Sequence, residues 1–257
     1  MLTKRQRFVI TSTLLTLGFS SMFFIDEKYR IAAITINALL TLLLFTWSLR
    51  ESIRLDMTLM SLILPFFFTI GVGLFWFLLP SSIIVSAGIL VLYAICIYTL
   101  CLTANIYTVS AIRTIALLRA ARVVGFVLTL LSLFFMFDAI LSLRQSLIIT
   151  SVFVFLVSIP LLMQVFWSIP LTRRMNRVLL SISMVSALIL AEIALVLHFW
   201  PLTITVGSLF FTVSSYMLIG LGQAKLEGRL FKRTIREFLI LGLMVFIGMF
   251  LATRWGS

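Results

Sequence analysis

Residues 57–79 read MTLMSLILPFFFTIGVGLFWFLL, an unbroken apolar run with no charged side chain. A helix rising about 1.5 Å per residue makes such a run about 35 Å long, enough to cross a hydrocarbon core about 30 Å thick. A transmembrane barrel would show short segments of alternating polarity instead, and this run does not alternate. Pro65 falls inside it and predicts a kink. Gly71 and Gly73 follow, so this span is expected to be the most irregular of the set.

Working outward from this stretch, eight more runs of comparable character appear, at about 8–25, 31–49, 83–104, 123–141, 147–169, 178–199, 202–222 and 238–254. Pro160 lies inside the run at 147–169 and predicts a second kink. The whole chain is 62% hydrophobic and 11% charged, with a mean hydropathy of +1.24. Soluble domains carry about 25% charged residues. Too few charges remain to coat a water-soluble globule, and no polar stretch is long enough to form one. The expected fold is therefore all-α: a multi-pass transmembrane bundle of nine spans, with residues 1–257 forming a single integral membrane domain.

The basic residues test that threading independently. With the N-terminus inside, the cytoplasmic segments hold Lys4, Arg5 and Arg7, then Arg50 and Arg54, then Arg113, Arg119 and Arg122, then Arg173, Arg174 and Arg177, and last Lys225, Arg229, Lys232, Arg233 and Arg236. The opposite side holds Lys28, Arg30, Arg144 and Arg254. Every loop agrees with the positive-inside rule, and moving one span would reverse all the loops after it. The N-terminus is thus expected in the cytoplasm and the C-terminus outside. The net charge of +12 belongs to this asymmetry, and no nucleic-acid partner is expected. Trp76, Trp200 and Trp255 fall near expected outer ends and Trp47 and Trp167 near inner ones, as an aromatic belt would place them. The basic start and apolar body of residues 1–25 resemble a signal peptide, but the run is long enough to span and is read as an uncleaved anchor.

Few polar groups lie within the spans. Glu192 interrupts SALILAEIALVLHFWP, residues 186–201, about 21 Å of helical rise into its span. An intramembrane acid is by default a candidate for proton or substrate binding. The competing reading is an interhelical hydrogen bond to Asn37 or a Ser/Thr hydroxyl. The small residues Ser183, Ala187, Ala191 and Ala194 favour it by letting a neighbouring helix approach. Asp138, at the outer end of its span, is expected to pair with Arg144 at the surface, and Asn37 and Gln164 to act as single interhelical amides. Cys96 and Cys101 read as packed thiols. A zinc site is excluded because His198 is the only histidine.

The stretch QAKLEGRLFKRTIRE, residues 223–237, is the most patterned. Wound as one helix, Lys225, Arg229, Lys232, Arg233 and Arg236 fall within an arc of about 100°. This predicts an amphipathic helix on the cytoplasmic surface with its basic face toward anionic headgroups or an acidic partner. The simpler reading is that these residues complete the positive-inside pattern.

The sequence carries no metalloprotease, nucleophile-elbow or phosphate-loop motif, and no cofactor is expected. The leading expectation is a non-catalytic membrane subunit or scaffold in a bacterial-style cytoplasmic membrane, in contact with anionic lipid and with a membrane protein partner or further copies of itself. A small permease or proton- or ion-coupled transporter using Glu192 is the alternative, and a lipid-handling membrane enzyme the second. For that last reading, Asp26 and Glu27 lie where membrane sugar transferases with lipid-linked donors keep acids, a likeness of position only.

Overall fold

A computed structural model describes residues 3–50, 55–79, 82–110, 116–171 and 176–253. Among them are nine helices, each long and apolar enough to cross a membrane, and no strand. They are α1 (Lys4–Ser21), α2 (Arg30–Leu49), α3 (Leu55–Leu78), α4 (Ile83–Ser110), α5 (Leu118–Ser142), α6 (Leu147–Trp167), α7 (Arg177–Leu197), α8 (Ile204–Leu226) and α9 (Lys232–Ala252). Each coincides with one expected span, so the chain is an all-α polytopic membrane protein. The helices overrun the spans where polar flanks continue the winding: α4 extends to Ser110 and α5 begins at Leu118. Arg54, Arg113, Arg173, Arg174, Arg254 and Trp255 lie outside the described residues.

Helix starts follow local chemistry. Thr3 and Gln6 form a capping box that opens α1: the Gln6 backbone N–H donates to Thr3 Oγ1 and the Thr3 N–H donates to Gln6 Oε1. The Asn176 and Thr203 side chains accept backbone N–H groups of Val178 and Val206 to open α7 and α8.

Two compact units make up the chain, Met1–Ser132 and Leu133–Ser257, and the division falls within α5. In the first, α1 packs on α2 and α4, α2 on α3, and α3 on α4, closing a four-helix ring. Its interior holds Phe8, Leu15, Phe45, Phe68 and Ile97, and the Phe19 ring stacks on Tyr93 at 4.6 Å between centroids. Helix α3 is continuous through Pro65, so the expected irregularity does not interrupt it. Gly73 serves close packing rather than a break: a Cβ there would lie 3.0 Å from Ile34 Cγ1 on α2. Arg7 is buried rather than lying free at the membrane surface.

In the second unit, α7 makes its broadest contact with α6, α8 packs on α6 and α7, and α9 packs on α8. The small-residue stripe of α7 is buried as expected, with Ser183 and Ala187 fully enclosed. Small side chains let the two backbones approach, which is how helices associate where lipid removes the hydrophobic drive. Helix α6 also continues through its proline, Pro160. Trp167 is buried in this unit and therefore is not a belt residue. Trp200 donates its Nε1–H to Thr253 Oγ1 at 3.0 Å, tying the α7–α8 connection to the end of α9.

Candidate functional site

The geometry around Glu192 bears on the expected interhelical bond. The buried stripe Ser183, Ala187, Ala191 and Ala194 occupies one side of α7, and Glu192 falls outside it. Glu192 instead shares an exposed face with Val185, Leu188, Val196 and Phe199. It makes no hydrogen bond or ion pair among the described residues and lines none of the cavities described among them. The expected interhelical bond is therefore not formed among the described residues. The physical reason is rotational: one residue along a helix is about 100° around it, so burying Ala191 turns its neighbour outward.

Asn37 is buried, as an interhelical amide would be, but its partner is Tyr93. Asn37 Nδ2 donates to the Tyr93 hydroxyl at 3.5 Å, and that hydroxyl lies 3.1 Å from Thr69 Oγ1. Thr69 is 3.2 Å from Thr41, and the two threonines also donate to the carbonyls of Pro65 and Asn37 within their own helices. A polar knot thus joins α2, α3 and α4 inside the first unit. Gly18 completes it by lacking a side chain, since a Cβ there would lie 2.8 Å from Asn37 Oδ1.

The expected surface pair of Asp138 and Arg144 is absent. Asp138 is 6% exposed, and its Oδ1 accepts from Ser208 Oγ on α8 at 3.0 Å. Arg144 lies beyond the end of α5 with a left-handed backbone, φ 45°, outside the helix that holds Asp138. It is exposed and has no ion pair or hydrogen bond from its side chain among the described residues.

Sequence reasoning missed where Arg144 goes. With Gln145, Thr150, His198 and Thr203 it lines a cavity of about 570 Å³ in the second unit, floored by Leu197 and Phe211. The available signal was the clustering of the lone histidine, a tryptophan and a threonine in the short 198–203 connection, beside a loop holding an arginine and a glutamine.

The basic stretch 223–237 is also not the predicted surface helix. Helix α8 continues to Leu226, Gly228 turns left-handed at φ 68°, and α9 begins at Lys232. The Gly228 and Arg229 N–H groups donate to the Lys225 and Ala224 carbonyls, the double bond pattern that ends a helix on a glycine. Lys225, Arg229, Lys232, Arg233 and Arg236 are all exposed, but they sit on two helices and a turn rather than on one face. Arg233 pairs with Glu237 at 3.0 Å and Arg229 approaches Glu227 at 4.0 Å.

Residues 11–252 match a family described as proteins of unknown function, DUF5656. The chain belongs to this family. The DUF5656 match begins inside α1 and ends at the last residue of α9, so all nine helices contribute to it. No curated protein and no solved structure matches the chain.

Proposed function

We propose that this protein is a non-catalytic subunit or scaffold of a membrane assembly in a bacterial cytoplasmic membrane, with its N-terminus inside and its C-terminus outside. The observation that carries the reading is the exposed face of α7 with Glu192 upon it. A carboxyl group facing hydrocarbon has neither water nor a protein donor, and intramembrane acids normally face a bundle interior or an aqueous cavity. Glu192 does neither among the described residues, so a helix of another chain is the natural source of its donor. Leu188 and Val185 would pack beside that bond. The transporter alternative needs Glu192 on a water-reachable path, and it lines no cavity described here.

The test places photo-crosslinking residues at Val185, Leu188 and Leu195 in the full-length protein, in its own membrane, with mass spectrometry of the products. A discrete protein adduct at all three positions is expected. Glu192→Gln should retain the adduct because an amide still bonds. Glu192→Leu should weaken it by about three- to twentyfold, matching the roughly 0.6–1.7 kcal/mol of interhelical bonds in membranes. Adducts to lipid alone, with all three positions equally labelled, would remove the basis for the subunit reading.

A further inference from the structure

The cavity beside Arg144 has a marked division of character. Its floor is apolar and closed, with Ala194, Leu197 and Phe211 buried. Its rim is polar and open, with Arg144, Gln145, His198 and Thr203 exposed. At about 570 Å³ it falls in the range that holds a small ligand or part of a large one, about 300–1,000 Å³.

The rim favours negative charge. Arg144 presents five N–H donors in a planar fork suited to phosphate or carboxylate oxygens, and none is used by the described protein. The nearest acid along the chain, Asp138, is not part of the lining and already accepts from Ser208. His198 adds a second nitrogen donor with no hydrogen-bond partner among the described residues. The first residue of α8, Ile204, also lines the cavity, and the free N–H groups at a helix start carry partial positive charge. Charge, floor and rim therefore agree on one chemistry: an anionic head above an apolar chain.

We propose that this cavity seats an acidic phospholipid of the surrounding leaflet, its phosphate held by Arg144 and His198 and the start of its acyl chain lying on Leu197 and Phe211. The charged rim lies at the end of α7 and the start of α8, where a bilayer places headgroups, and the floor lies inward along the same helices. A membrane supplies the ligand without diffusion through water, so the open side of the cavity suits it.

The test uses the full chain in mild detergent and native mass spectrometry titrations with phosphatidylglycerol, phosphatidylcholine and inorganic phosphate. Arg144→Gly is the informative variant, because glycine adopts the left-handed backbone at that position freely and the fold is kept. Combined with His198→Gln, it should weaken phosphatidylglycerol binding at least tenfold, and phosphatidylcholine, whose choline cation offsets its phosphate, should bind the parent more weakly and lose less. Arg144→Lys should fall between, keeping charge but losing the fork. A parallel variant with Lys225, Lys232 and Arg236 changed to Gln removes cations at the other end of α8, and should leave this component of the titration intact. Phosphatidylglycerol binding equal to that of the parent in Arg144→Gly/His198→Gln would overturn the proposal. So would full displacement of the lipid by an equal concentration of inorganic phosphate, which would make the rim a site for free anions.

Discussion

The hydroxyl of Tyr93 joins two helices besides its own, bonding to Asn37 on α2 and Thr69 on α3. Asn37 Oδ1 has no hydrogen-bond partner, so removing the tyrosine hydroxyl leaves the whole side-chain amide unsatisfied in a buried site. Tyr93→Phe should therefore destabilise the protein by about 1–2 kcal/mol, read as a lower midpoint in detergent unfolding. A midpoint equal to that of the parent would show that the knot contributes nothing net. Gly18→Ala should also destabilise, because its new Cβ would press on Asn37 Oδ1. The amide was legible in the sequence, since a lone Asn in an apolar span has few other uses. Its partner was not, because Tyr93 sits in VLYAICIY and reads there as one more aromatic. Asp138 shows the opposite error: closeness in sequence suggested Arg144, whereas helix rotation gave the acid to Ser208 and the loop took the arginine away.

At the scale of elements, the turn between α8 and α9 depends on one residue. Gly228 is the only described glycine with a positive φ, and no neighbour crowds its missing Cβ, so backbone conformation alone restricts it. Gly228→Val should cost about 1–2 kcal/mol and Gly228→Asn distinctly less, because asparagine tolerates the left-handed region. Thermal unfolding of the two variants side by side measures this; equal losses would mean that packing rather than φ sets the preference. The glycine was present in the sequence, but the regular spacing of the cations on either side of it suggested one continuous helix. Read as the residue after a helix end, with Lys225 in the last turn, it marks the boundary that the five spaced cations obscured. Span positions were far easier to read. A run of about 20 apolar residues averages out individual exceptions, whereas a helix end turns on one or two.

For the whole molecule, the proposed topology of nine crossings requires the two termini on opposite sides of the membrane, with the Lys- and Arg-rich loops inside. A reporter active only outside should work when fused within residues 80–82 or after Trp255, and should be silent after Arg177 or Lys232. Activity after both Arg177 and Trp255 would rule out nine crossings. Hydropathy made the nine spans readable, because it is imposed by the membrane and hardly depends on neighbouring helices. Which helix touches which was unreadable. Apolar side chains facing lipid and facing protein look alike in sequence, and only small residues such as Ala187 distinguish them.

Helix α9 carries that ambiguity to its limit, since only Met249 along it is buried and 6% of its crossing window is enclosed. If no partner chain covers this face, acyl chains surround most of it and the bilayer acts as its main solvent. Its uncharged part, Phe238 to Ala252, spans about 22 Å, shorter than a hydrocarbon core of about 30 Å. Lys232, Arg233 and Arg236 must reach past the deficit toward the headgroups, or the leaflet must thin around them. The seating of the last helix is therefore a function of membrane thickness, and lipids of different chain length would retune it without any change in sequence.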